Sequence, residues 1–199
     1  LSSPRSVPRL IDAEKNNLEQ FKRSPEGELR YKQFKDGLKA RGIDKTSLLL
    51  GHELHWAKLD AEGKIVETYM EPKSTKLLNS PDDILIVPNK FPYNFDPRVS
   101  HLLVWTKVSI ESDPESPKGD ISMYTRQLIE RYIHKTFVQW LGIPKGHILW
   151  FRNWSALQSV ENISHIHVLI YDMNPVLKHQ VCGSCGVPLG PSDYERYKL

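Results

Sequence analysis

The sequence predicts an α+β fold: an antiparallel sheet of about five strands, one long helix packed on it, and a helical extension at the N-terminus. Three observations carry this. Short apolar runs at 65–69, 83–87, 101–107, 147–152 and 165–171 lie between turn residues and have the length of strands. One segment, 121–141, repeats apolar residues every three or four positions and is far too long for a strand. The first 40 residues hold two further segments with helical spacing whose remaining positions are rich in Lys and Glu.

Residues 1–9, with Pro4 and Pro8, read as an irregular lead-in. Leu10, Ile11, Ala13, Leu18 and Phe21 give a first helix, stopped by Ser24-Pro25. Pro25 suits the first turn of the next helix, with Ser24 as its cap, and this helix runs to about Ala40 before Gly42. The stretch Ser47–Trp56 is apolar without a decisive period. Asp60-Ala61-Glu62-Gly63 then signals the turn of a hairpin. Residues 111–120, polar and proline-bearing, are a surface loop. Asp120 is placed to cap the long helix, and Gly142 followed by Pro144 to end it. The expected divisions are an extension over 1–60, a core domain over 61–175 and a tail over 176–199.

Composition excludes several classes. The chain has 199 residues, 39% hydrophobic and 26% charged, as an ordinary globular protein does. Its 27 basic and 24 acidic residues are interspersed, so no nucleic-acid partner is expected, although a local basic pocket for a phosphate is compatible with this balance. No apolar run approaches the 18 or so residues of a membrane span. Two cysteines and an N-terminus without an apolar signal core suit a reducing compartment, so cytosol, or cytosol with nucleus, is the expectation.

The segment WFRNWSALQSVENISHIHVLI carries the chemistry. Alternate side chains of a strand share a face, so His165, His167 and Leu169 project together while Ile166, Val168 and Ile170 face the 121–141 helix. Two imidazoles roughly 7 Å apart on a rigid strand can act on one ligand. Two histidines on a solvated strand face would look the same in sequence.

The flanking residues select between these readings. Asn89 with Phe91, Pro92 and Tyr93, then Ser100-His101-Leu102-Leu103-Val104-Trp105-Thr106-Lys107, Asn153, and finally Gln158-Ser159-Val160 before His165 and His167 follow one another in order. Together they resemble the histidine triad (HIT) superfamily of nucleotide hydrolases and transferases. The phrases PNKFPY, HLLVWTK and SVENISHIHVL resemble more closely a fungal family of unknown function that includes N-acetylglucosamine-induced protein 1. The HIT resemblance implies that His167, at the middle position of the triad, is the nucleophile toward an α-phosphorus, with its other ring nitrogen donating to a backbone carbonyl. It implies that His165 orients this ring, that Ser159, Gln158 and Asn153 receive phosphate oxygens, that Asn89 and Lys107 contribute to substrate binding, and that His101 is architectural. It also implies a two-fold homodimer.

Two positions depart from the triad pattern. Leu169 stands where the third histidine belongs, and Glu161-Asn162-Ile163-Ser164 separate Val160 from His165 where the family has one residue. Two functions follow: a hydrolase or transferase acting at a nucleotide phosphorus, or a protein that binds a nucleotide or phosphorylated small molecule without turning it over. Trp105, Trp150 and Trp154 are candidates to line a pocket for a base or sugar. A second motif, Cys182-Gly-Ser-Cys185-Gly186 with His179 before it, has the spacing of a zinc knuckle. A structural zinc on Cys182, Cys185 and His179, a pair of free thiols, and a disulfide are its three readings, with His52, His55 or His147 as a fourth metal ligand.

Overall fold

The period of two along the histidine-bearing strand decides how the sheet is built. In the computed structural model, which describes residues 21–153 and 163–196, the chain divides into two compact units. One comprises Lys22–Glu71 with Phe91–Asn94. The other takes in Phe21, Pro72–Lys90 and the described residues from Phe95 onward.

In the first unit, helix α1 (Pro25–Ala40) starts as its sequence dictates, Ser24 Oγ accepting the Gly27 N–H at 3.0 Å. It ends at Gly42, whose φ of +63° favours glycine. The undecided stretch is helical: a short α2 (Lys45–Leu48) capped by Asp44 runs into a wider π turn over Leu49–Glu53. Strands β1 (Ala57–Leu59) and β2 (Ile65–Thr68) form the hairpin that the Asp60–Gly63 turn predicts. Among the described residues they pair only with each other, and β2 is exposed along its whole length.

The second unit holds β3 (Ile84–Pro88), β4 (Val99–Thr106), β5 (Ile148–Phe151) and β6 (Ser164–Tyr171), antiparallel in the order β3-β4-β6-β5. Among the described residues the main sheet thus has four strands rather than about five, because the hairpin is a separate two-stranded sheet in the other unit. Helix α3 begins at Met123 and runs to Ile133 in α geometry, then to Trp140 as a π-helical segment. Its cap is Ser122, whose Oγ accepts the Thr125 N–H at 3.2 Å. Asp120 is occupied elsewhere, by the Ile121 N–H and the Arg126 guanidinium, and so does not cap.

One face of this sheet is the core. Ile84, Ile86, Leu102, Val104, Ile166, Val168 and Ile170 pack with Leu128, Ile129, Tyr132, Ile133 and Phe137 of α3 in one apolar cluster. The expected inward set of β6 is the observed one. The C-terminal segment is part of this unit too. After helix α4 (Pro175–Val181), Gly183 N–H donates to the Ile86 carbonyl and Ile86 N–H to the Ser184 carbonyl, so the loop closes the free edge of β3. The first predicted helix, residues 10–20, lies outside the described residues.

Candidate functional site

The other face of the sheet carries the imidazoles. Strand register sets Trp105 opposite His165, Leu103 opposite His167 and His101 opposite Leu169, and residues directly opposite share a face. His101, His165 and His167 therefore emerge on the same side, each less than a tenth exposed. The ring centroids of His165 and His167 are 5.2 Å apart, and those of His101 and His167 are 5.1 Å apart. These are buried histidines, not a solvated face.

Hydrogen bonds make a chain of them. Asn153 Nδ2 lies 3.3 Å from His167 Nε2, His167 Nδ1 lies 2.8 Å from His101 Nε2, and Asn89 Nδ2 lies 3.3 Å from that same nitrogen. A side-chain amide nitrogen only donates, so His167 Nε2 accepts, His167 Nδ1 bears the hydrogen and donates, and His101 Nε2 accepts from both sides. These contacts place the hydrogen of His167 on Nδ1 and its lone pair on Nε2. The partner of Nδ1 is therefore a second imidazole, where the family resemblance implied a backbone carbonyl. His165 has such a carbonyl bond itself, its Nδ1 donating to Ile163 O at 3.1 Å.

Aromatic rings hold this array in place. Phe151, opposite His167 in the sheet, stacks on it at 4.6 Å with only 6° between the planes. Trp105 lies 4.3 Å from His165, and Phe95 meets His101 edge-on at 5.8 Å. Phe21 touches both Phe95 and Phe151. Such packing restricts the rings to one rotamer, as a preorganised site requires.

Asn153 is positioned by its neighbour. Arg152, 8% exposed, sends its guanidinium to the Ile110 and Gly119 carbonyls and the Ser112 hydroxyl, tying the loop before α3 to the end of β5. Burial lowers the pKa of this guanidinium, opposed by the charges of Asp120 and Glu111. The Gly119 carbonyl also accepts from the Ser112 hydroxyl at 2.8 Å, so the guanidinium joins a bonded loop.

Of the sequence candidates, His165, His167, Asn153 and Asn89 come together. Lys107 follows β4, its backbone N–H bonded to the Asp83 carbonyl at 2.9 Å. Gln158, Ser159 and Trp154 lie outside the described residues. His101, architectural by the resemblance, is also the ring bonded to His167 Nδ1. The signal for it was a polar residue heading an apolar strand, legible only once β4 is paired with β6. Trp150 faces away from the imidazoles, bonded to Glu130 of α3.

The cysteine motif serves the fold. Among the described residues no group of three or more His, Cys, Asp or Glu, Cys182, Cys185 and His179 included, is arranged to hold a metal ion. Both thiols are free and half-buried against the core, and burial pushes the Cys182 thiol up despite Lys178 nearby. The glycines explain the spacing. Gly183 (φ +87°) makes the edge bond to Ile86, and at Gly186 (φ +65°) a Cβ would sit 2.4 Å from Tyr132 Oη. Tyr132 Oη in turn donates to the Cys185 carbonyl at 2.8 Å.

Fold and site thus define an α+β protein with a helix-covered antiparallel sheet and a buried, amide-terminated imidazole chain on the sheet's other face. The chain belongs to the family described as protein of unknown function DUF3605, whose model matches residues 6–171. It is similar to N-acetylglucosamine-induced protein 1 of Candida albicans, 40% identical over 190 residues, a match spanning 90% of this chain and 73% of that one. An uncharacterised protein of Saccharomyces cerevisiae is 30% identical over 158 residues, covering 79% of this chain and 74% of that one. Among solved structures it is similar to the crystal structure of HTC1, with a TM-score of 0.65 and 26% identity over 88% of this chain and 90% of that chain. No described helix is long and apolar enough to cross a membrane.

Proposed function

We propose that the imidazole face binds a nucleotide or related phosphate ester in the manner of histidine triad proteins, with His167 as the nucleophile toward its phosphorus. The observation that carries this reading is the chain Asn153–His167–His101–Asn89. It leaves Nε2 of His167 as a lone-pair nitrogen on a ring that Phe151 and His101 hold still. In the reaction the Asn153 amide turns from Nε2 to a non-bridging oxygen, and the Nε2 lone pair forms an N–P bond. The bond from phosphorus to the leaving group breaks, its electron pair departing with that group. Water then attacks the phosphorus: its oxygen forms the new P–O bond, the N–P bond breaks with its electron pair returning to Nε2, and the proton water loses passes to solvent. Leu169 supplies no proton to the leaving group, so the site suits groups that depart as stable anions.

A second reading, binding without turnover, is favoured by that same residue. Leu169 is 1% exposed and stands directly opposite His101, an apolar side chain inside the array. One experiment separates them. The wild-type protein and His167→Ala are incubated with nucleoside di- and triphosphates, and product release and melting temperature are followed together. The enzyme reading expects turnover that falls on the order of a thousandfold or more in the variant while its fold persists. Stabilisation without product, about 4 kcal/mol at a thousandfold excess over the dissociation constant, establishes the binding reading. Neither turnover nor stabilisation overturns both.

A further inference from the structure

We propose that Trp105 contacts the ligand, its indole N–H donating to an oxygen of the phosphate ester at the His165 end of the cluster; this rests on the reading of the imidazole face as a phosphate-ester site. Trp105 belongs to β4 and pairs directly with His165, so it shares the face of the three histidines. Its ring lies 4.3 Å from the His165 imidazole, tilted by 33°. The side chain is 4% exposed, and its Nε1 is buried with no acceptor among the described residues.

That last fact is the unusual one. A buried indole N–H ordinarily finds a partner, because leaving the donor unmade forfeits the hydrogen bond it had with water. If the position served packing alone, phenylalanine would fill most of the same space and leave no donor unpaired. On the same face His165 Nδ1 is bonded to Ile163, and His167 to Asn153 and His101. Trp105 Nε1 is a donor held in reserve. A ligand oxygen is the acceptor that completes it, as donors of a preorganised site are completed by an anion. The indole is also neutral, so it adds direction to the site without adding charge.

The test uses AMP as the probe and protein labelled with 15N at its tryptophans, five in all. The Trp105 indole signal is assigned as the one missing in Trp105→Phe. On titration with AMP, that signal moves more than those of the other four. The Phe variant melts no lower than wild type in the absence of AMP, yet binds AMP roughly tenfold more weakly, the loss of about one hydrogen bond. A structural role gives the opposite pair of results, a lower melting temperature with unchanged AMP affinity, and overturns the inference while leaving the site reading intact. Should the Phe variant fail to fold, the wild-type titration decides alone, and a Trp105 signal unmoved at saturating AMP overturns the inference. AMP that binds neither protein overturns it together with the reading of the face.

Discussion

The two faces of the four-stranded sheet are made from the same strands and obey opposite rules. On the helix side Ile166, Val168 and Ile170 meet α3 with no polar atom to satisfy, and shape alone decides the fit. On the other side His165 and His167, which alternate with them along the strand, are buried too but are held by directed bonds to Ile163, His101 and Asn153. One face is specified by volume, the other by donors and acceptors. A strand two residues in period can therefore build a core and a chemical site at once, and a change on each face should fail in its own way.

The largest expected effect is on the core face. Phe137→Ala, which empties a fully buried ring site under the sheet, costs about 3–5 kcal/mol by denaturant unfolding. Its loss should leave the imidazole face able to bind whatever it binds. Next comes Gly186→Ala at the loop that closes the sheet edge. Its backbone sits at φ +65°, and a Cβ there would meet Tyr132 Oη at 2.4 Å and Thr136 Oγ1 at 2.7 Å. The combined strain and crowding should lower stability by roughly 2–4 kcal/mol; an unchanged unfolding midpoint would show that the loop is not packed against α3.

On the site face, His101→Leu sharpens the contrast. A core position would accept this exchange of similar volume with little loss. Here it removes the acceptor of His167 Nδ1 and of the Asn89 amide, so a cost of about 1–3 kcal/mol is expected despite the added apolar surface. A neutral or stabilising result would mean that the imidazole face follows the rules of the core. The smallest effect lies at the rim of α3, where Lys135 Nζ is 2.5 Å from Asp193 Oδ2. Burial pulls the Asp193 carboxyl upward, but the Lys135 and Gly190 hydrogen bonds and the charges of Lys135 and Arg131 hold it below its usual 3.8. A carboxyl lowered by folding stabilises above its unfolded value and loses that contribution as pH falls through the folded one. The difference between wild type and Asp193→Asn, at most about 1 kcal/mol, should be present near neutrality, begin to shrink only as pH falls to the usual 3.8, and be lost as it drops through the lower folded value.

Local chemistry was legible in the sequence and pairing was not. Ser24, Gly42 and the period of 121–141 announce helix ends and faces within a few residues of themselves, so α1 and α3 were readable. The same holds for the alternation that sends His165 and His167 one way and Ile166 and Val168 the other. Ser122 rather than Asp120 caps α3 because Asp120 is engaged by Arg126, a contact between side chains six positions apart. His101 joins the site through the register of β4 on β6, 66 residues away along the chain, which no local pattern encodes. The Cys-x-x-Cys spacing is bound up with packing in the same way: its glycines meet the edge of β3 and the flank of Tyr132, both set by tertiary structure. The hairpin has ordinary strand composition, and nothing in β1 or β2 records that, among the described residues, they pair with each other and not with the main sheet.

The tautomer of His167 tests the account most directly. Long-range proton–nitrogen NMR on 15N-histidine protein, with His167→Ala to assign the ring, distinguishes a nitrogen that bears hydrogen from one that does not. The account predicts hydrogen on Nδ1, a bare Nε2, and a change at Nε2 when AMP is added. Hydrogen on Nε2 with a bare Nδ1, or an Nε2 signal indifferent to saturating AMP, contradicts it.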